Sequence, residues 1–418
     1  MAFHLNDVEA MMLTTLFPKF HRRYLESPIA DWLTGFADWL VAVGYAHEPA
    51  HDHVRRLKQI LEARQSVTSD AMFSAAELAT MFTSARQQPL FRGTQHAFTR
   101  FLAARDRLVV EPDDSRFASI LRAYQYHLVE ARGLAASTIS QHLTCAAVFL
   151  AQSVPADTSL RDLAPQAVER FVVAAGERLK RQSLQHTIAQ LRSFLRFCHD
   201  RGELRERLDI IDTPRTYRYE LPPRALSWCL VHKLLRSIDR SDPLGCRDHA
   251  MLYLMAYYGL RPSEIVTLTL ESIDWANRTL RVEQCKTRST LVLPLSDQAL
   301  RVLKRYLRCG RPGGAHAQLF LRGRTPAGPI KHTALCDVYE KRARQSELPL
   351  EGTSSYSLRH AFAMHLPERG AGNKVIGDLL GHHTLESTCV YLRLQTEALR
   401  EVGLSLPTPS SNGARRSS

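Results

Sequence analysis

The chain of 418 residues is 44% hydrophobic and 23% charged, long enough for two or three domains, and its apolar stretches are interrupted before they reach membrane-spanning length. Fifty-five Lys and Arg against 42 Asp and Glu give a net charge of +13 and a pI near 9.5, a balance that suits a protein resting on a polyanion. Cys145, Cys198, Cys229, Cys246, Cys285, Cys309, Cys336 and Cys389 stand singly, with no CxxC and no Cys/His pairing at zinc-ligand spacing, so reduced thiols and neither metal nor cofactor are expected.

The opening MAFHLNDVEAMMLTTLF carries two acids and no basic residue before its apolar patch, unlike a secretory signal, which makes a cytoplasmic location the expectation. Residues 1–110 contain amphipathic helical patterns, IADWLTGFADWLVAVG and HDHVRRLKQILEAR among them. EPDDS then marks a break. Residues 113–205 read as four helices: FASILRAYQYHLVEAR, STISQHLTCAAVFLAQS, APQAVERFVVAAGERL and SLQHTIAQLRSFLRFCHDRG. Ser137 and Ser183 are the expected N-caps, Gly133 and Gly202 the expected C-terminal stops. The solvent faces are expected to carry Arg122, Arg132, His142, Arg181, Gln185, Gln190 and Arg192, groups suited to phosphates and groove edges, although any one of them is ordinarily a solvated surface residue.

A weak echo joins the first two segments. GYAHEPAHDHVRRLKQIL and GLAASTISQHLTCAAVFL each place a glycine before a helix, with Val54 opposite Leu143 and Leu61 opposite Leu150, so residues 1–110 read as a degenerate second helical module or as a chance likeness. Residues 206–224, rich in Pro and Arg, read as a basic linker. From 225 to 405 helices (SWCLVHKLLRSID, CRDHAMLYLMAYYGL) give way to RTLRVEQCKTRSTLVLPLS, which predicts two short strands around a turn at KTRS, and helical patterns resume to Leu404. Residues 406–418 have the composition of a disordered tail. The expected fold is mainly α with a small β-sheet in the third segment, an α+β unit, after all-α first and second segments.

Four stretches of the third segment hold side chains useful for phosphoryl transfer: GLRPSEIVTLTLESID, CKTRSTLVLPL, YSLRHAFAMHLPERGAG and LLGHHTLESTCVYLRL. Arg261 and Arg359 each offer a planar fork of donors, which suits the added charge on a pentacoordinate phosphorus. A lone arginine in a basic chain is ordinarily a surface charge, and it is the ensemble of four stretches that overrides this reading. Tyr391 carries a phenol of ordinary pKa about 10, a poor nucleophile without cationic neighbours.

The order and spacing of these stretches resemble the tyrosine recombinase (phage integrase) family, whose pattern is G-L-R-x-x-E, a turn lysine before V-P-L, H-x-L-R-H, and L-G-H followed nine positions later by tyrosine. The resemblance covers the third segment as catalytic domain and the second as a helical SAM-like core-binding domain. It implies that Tyr391 attacks the scissile phosphate to leave a 3′-phosphotyrosine and a free 5′-hydroxyl, with no ATP or metal. It implies that His382 donates to a non-bridging oxygen and that Lys286 protonates the leaving oxygen, Arg288 being the alternative within the uncertainty of the turn register. Glu264 would orient Arg261, and His360 would stand beside Arg359. Double-stranded DNA is the implied partner, with two protomers per site and four at synapsis, and with partner recombinases as a further possibility.

Two departures stand out. Tyr356 occupies the first histidine of H-x-L-R-H, where the family holds its general base, and Pro367 falls where a helix interior is expected. Tyr356 therefore keeps open a second reading, a DNA-binding accessory protein of a recombination or transposition system with weak or lost cleavage. A relaxing enzyme of type IB topoisomerase kind ranks lower, because the helical module argues for clamping a site. Asp274 and Asp297 sit in turn-like contexts, which disfavours a two-metal nuclease.

Overall fold

The computed structural model describes residues 11–64, 67–82, 89–109, 115–215, 225–284, 289–324 and 327–381. These divide between two compact units, one drawn from Met1–Ala71, Met81–Ala104 and Leu221–Ser418, the other from Met72–Thr80 and Arg105–Glu220. The units do not follow the sequence segments, because the amino-terminal helices are shared between them. No helix among the described residues is long and apolar enough to cross a membrane.

In the first unit, α1 (Met11–Leu16), α2 (Arg22–Leu25), α3 (Ala30–Ala42) and α4 (His47–Glu62) precede α6 (Pro89–Ala104). Phe36 of α3 packs edge-on against Phe98 and Phe101 of α6, with ring centroids 5.7 and 5.4 Å apart, so aromatic burial unites these helices. In the second unit, β1 (Phe73–Ser74) pairs in parallel with β2 (Leu108–Val109), and α5 (Ala75–Met81) follows β1. That two-residue pairing is an addition to the mainly helical pattern that no alternation in the sequence signals.

The expected four helices follow as α7 (Ala118–Glu130), α8 (Ala136–Ser153), α9 (Pro165–Arg178) and α10 (Arg181–Asp200). Tyr124, Phe149, Leu150, Leu191, Phe194 and Leu195 fill the space between them. Gly133 and Gly202 stop α7 and α10 at φ +56° and +74°. The expected serine caps are a correction: Ala135 and Lys180 are the N-caps, extended at ψ 147° and 151°, so Ser137 and Ser183 lie inside α8 and α10. The turn after Gly133 brings the chain into helix two residues before the serine can act.

The rest of the first unit begins with α11 (Trp228–Ser237), capped by the Ser227 hydroxyl, and α12 (Pro243–Tyr258), capped by Asp242 with Pro243 at its first position. Helix α12 is buried from Gly245 to Ala256 and forms the spine of the core. Then come α13 (Pro262–Thr267) and an antiparallel sheet of β3 (Ile273–Asp274), β4 (Thr279–Gln284) and β5 (Ser289–Pro294). The expected hairpin is present, with Leu280 opposite Leu293 and Val282 opposite Leu291; residues 285–288 at its tip lie outside the described residues. Along β4, Leu280, Val282 and Gln284 alternate inward, the period of a half-buried strand. Helices α14 (Asp297–Cys309), α15 (His332–Gln345), α16 (Tyr356–Glu368) and α17 (Asn373–Leu380) complete the unit. Pro367 sits one residue from the end of α16, where its missing N–H and ring end the helix instead of kinking its middle.

Candidate active site

The end of α12 sets the site. Gly259 takes φ +62°, and a Cβ there would overlap the Phe362 ring of α16, so the chain turns where α12 and α16 approach most closely. Two residues later Arg261 caps α13. Its backbone N–H donates to Glu264 Oε2 at 2.8 Å and its guanidinium to Oε1, while the Glu264 side chain is only 3% exposed. A buried carboxylate needs this pairing, and the pairing in turn fixes where the arginine points.

Arg359 lies on α16 and is 5% exposed. It donates to the Gly259 carbonyl and, at 2.6 Å, to the Leu380 carbonyl that ends α17. Arg261 donates to the same Leu380 oxygen at 3.3 Å. Two guanidiniums separated by almost a hundred residues of sequence thus meet at one carbonyl. Next to it Gly381 takes φ +60°, and any Cβ there would overlap the Gln284 amide, so the turn end of the β4–β5 hairpin abuts the end of α17. Ser289 anchors that amide from the other strand, its hydroxyl 3.1 Å from Gln284 Oε1.

Tyr356 opens α16 and is 46% exposed; His360 lies one turn further on the same face. Burial pushes His360 below its ordinary pKa, and the adjacent Arg359 adds to the shift, so the ring is neutral near pH 7. Lys286, Arg288, His382 and Tyr391 lie outside the described residues. The described part of the candidate site is therefore the arginine pair with its Glu264 brace, and Tyr356 and His360 share α16 with Arg359. Among the described residues no group of His, Cys, Asp and Glu could hold a metal ion.

The expected DNA-facing residues of the second unit divide. Arg122, Arg132 and Arg181 are exposed, and Gln185 is half-buried. His142 turns inward, its Nδ1 2.9 Å from the Tyr124 hydroxyl, and Arg192 donates to the Ile211 carbonyl. Both serve the packing of this unit. A groove of about 640 Å³ opens among α8, α9 and α10, with Ser140, Gln141 and Thr144 facing Ser183, His186 and Gln190, and Phe171, Ala175 and Arg178 contributed by α9. Of the six facing polar residues, Gln190 alone was expected to face DNA and Ser183 was expected as a cap, although the three- and four-residue spacing along each helix is the signal that places them on one face.

Comparison with known proteins bears on this geometry. The phage integrase family profile matches residues 230–398, and that family's N-terminal SAM-like domain matches residues 121–202. Tyrosine recombinase XerD of Pseudomonas aeruginosa is 32% identical over 234 residues, 53% of this chain and 74% of that protein. The chain belongs to the tyrosine recombinase family. The putative integrase/recombinase y4rA of Sinorhizobium fredii is 29% identical over 406 residues, 91% of this chain and 95% of that one. Among solved structures, a lambda integrase dimer bound to a COC′ core site matches 71% of this chain and 85% of its own at a TM-score of 0.53 and 18% identity, a likeness of fold. In this recombinase the arginine of G-L-R-x-x-E and that of L-R-H are the two that meet at Leu380.

Proposed function

We propose that this recombinase cuts and rejoins duplex DNA at specific sites through a covalent 3′-phosphotyrosine link formed by Tyr391. The observation that carries the reading is the convergence of Arg261 and Arg359 on one oxygen position, both held by the fold before any substrate arrives. Donors fixed in advance where charge develops need no reorganisation at the moment of reaction, and each is worth roughly 10²–10³ in rate. The Tyr391 phenol gives up its proton, relayed through Tyr356 to solvent, and its oxygen forms a bond to phosphorus as the bond from phosphorus to the 5′-oxygen breaks. Lys286 gives that oxygen its proton, and His382 donates to a non-bridging oxygen. Attack by a 5′-hydroxyl on the phosphotyrosine reverses the step and restores the diester, so the bond energy is conserved without ATP or a metal.

Duplex DNA would be held by the groove among α8, α9 and α10 and by the cations around it, with two protomers on a site and four in the exchanging complex. A mobile element is the proposed context. Tyr356 supports the second reading, an accessory DNA-binding protein with weak cleavage, because a phenol at the position of the family's histidine is a poor base. A nicked duplex carrying flanking DNA of the gene, analysed on a denaturing gel without metal, separates the two. A covalent adduct that disappears in Tyr391→Phe supports the enzyme. Tight binding with no adduct from the wild type would transfer the assignment to the accessory protein.

A further inference from the structure

At the other end of α12 from Arg261, a cavity of about 190 Å³ is lined by Arg240, Cys246, His249, Gln298, Arg301, Val302 and Arg305. Three guanidiniums and an imidazole thus share one small space. Arg301 and Arg305 are one turn apart on α14 and project on the same side, while Arg240 comes from the loop that leads into α12. The loop is pinned in place: Arg305 donates to the Arg240 carbonyl at 2.8 Å, and the Cys246 thiol lies 3.0 Å from the same oxygen. Arg301 rests on Gln298 Oε1 at 2.8 Å. None of the three arginines forms an ion pair among the described residues. Asp239, beside Arg240 in sequence, is not among the lining side chains, and its carboxylate accepts both hydrogen bonds of Ser241.

His249 supplies the independent observation. It is 6% exposed, lines the cavity, and has no hydrogen-bond partner among the described residues; its one ring neighbour is Tyr253, with centroids 6.0 Å apart. Its nitrogens are not sealed from solvent, so the ring presents a hydrogen-bonding group to whatever occupies the cavity. Three guanidiniums around the same space, with Asp239 near Arg305 as the one carboxylate whose charge is felt there among the described residues, set the sign of that occupant. The volume sets its size, since pockets that enclose drug-sized ligands run from about 300 Å³ upward.

We propose that this cavity binds a phosphate group, with Arg240, Arg301 and Arg305 on its oxygens and His249 donating one neutral N–H. Burial, reinforced by Arg240 and Arg305, pushes His249 down to about 4, so the ring donates without carrying charge at neutral pH. Inorganic phosphate and a backbone phosphate of DNA offer the same chemistry. The pocket uses none of the residues assigned to strand cleavage, so its fate and theirs are separable.

The test uses the full-length protein and the variants Arg301→Gln and Arg240→Gln, both at exposed positions whose loss leaves the core intact. In one arm, melting is followed in millimolar inorganic phosphate and in chloride of equal ionic strength. In the other, affinity for a random-sequence duplex is measured against salt. A phosphate-specific rise in melting temperature of roughly 2–4 °C that both variants abolish establishes the site for free phosphate. A salt slope shallower by about 0.9 in the variants, with no phosphate-specific rise, assigns it to DNA. Stabilisation by phosphate that survives both substitutions, or no change in either arm, overturns the proposal, and adduct formation at Tyr391 is expected to continue in every case.

Discussion

The Arg359 side chain donates to two carbonyls on different elements, and lysine offers neither a second arm nor a planar fork. Arg359→Lys should therefore lower the rate of adduct formation by about 10²–10³-fold, while affinity for duplex DNA changes only a few-fold; a variant that cleaves at the wild-type rate would remove this arginine from the chemistry. Glu264 acts one step further back. Glu264→Gln keeps the size and some hydrogen bonding but loses the ion pair with Arg261, so a smaller fall of about tenfold is expected, in kcat-like cleavage rate more than in binding. His249 gives a prediction of another kind. In the unfolded chain its imidazole takes up a proton near its ordinary pKa of 6.5, but in the fold only near about 4. Between those values the unfolded state binds more protons, so this contribution is complete above pH 6.5 and is lost as pH falls toward 4, up to roughly 3 kcal/mol. Urea unfolding in chloride at pH 7 and pH 4.5 should show the wild type losing more stability than His249→Gln, and equal losses would deny the burial effect.

Among the elements, two glycines with the same backbone conformation separate steric from conformational causes. Gly133 and Gly259 are both left-handed at φ near +60°, yet nothing stands within 4 Å of a Cβ built at Gly133, whereas one at Gly259 meets Phe362 and Leu380. Gly133→Ala should cost about 1–2 kcal/mol, the backbone term alone. Gly259→Ala should cost clearly more by thermal or urea unfolding and should also disturb the arginine pair, because Phe362 shares α16 with Arg359; equal costs would refute the close approach. Such contrasts show what the sequence could and could not disclose. The hairpin was legible because Leu280, Val282 and Leu291, Leu293 alternate around a polar tip, and the arginines because their motif spacings are local. The Leu380 carbonyl was not legible, since a backbone oxygen has no residue type to mark it. Nor was the inward turn of His142: only a partner on another helix, Tyr124, distinguishes it from a solvent-facing histidine. The buried Arg247–Asp248–Arg342 group was missed for the same reason, its members lying 94 residues apart where Arg342 Nε meets Asp248 at 2.9 Å.

For the molecule as a whole, on the proposed DNA-binding role, the net charge of +13 and the polar side chains along the groove beside α8 and α10 would make separable contributions to holding DNA. Cations on phosphates give affinity without sequence information, and each neutralised phosphate adds about 0.9 to the slope of log affinity against log salt. Uncharged amides can instead pair with the N6 and N7 edge of adenine, a contact worth about 1–3 kcal/mol of discrimination. Gln141 and Gln190 are placed for that work, their side chains 3.5 Å apart across the groove. Selection of preferred sites from a random pool should accordingly show Gln190→Ala losing preference at one or two base positions with its salt slope unchanged. Arg181→Ala, an exposed cation at the start of α10, should weaken all sequences alike and flatten the slope by about one contact. If the two substitutions behave in the same way, the division between a charged grip and an uncharged reading face does not describe this recombinase, and site choice must come from the deformability of its DNA.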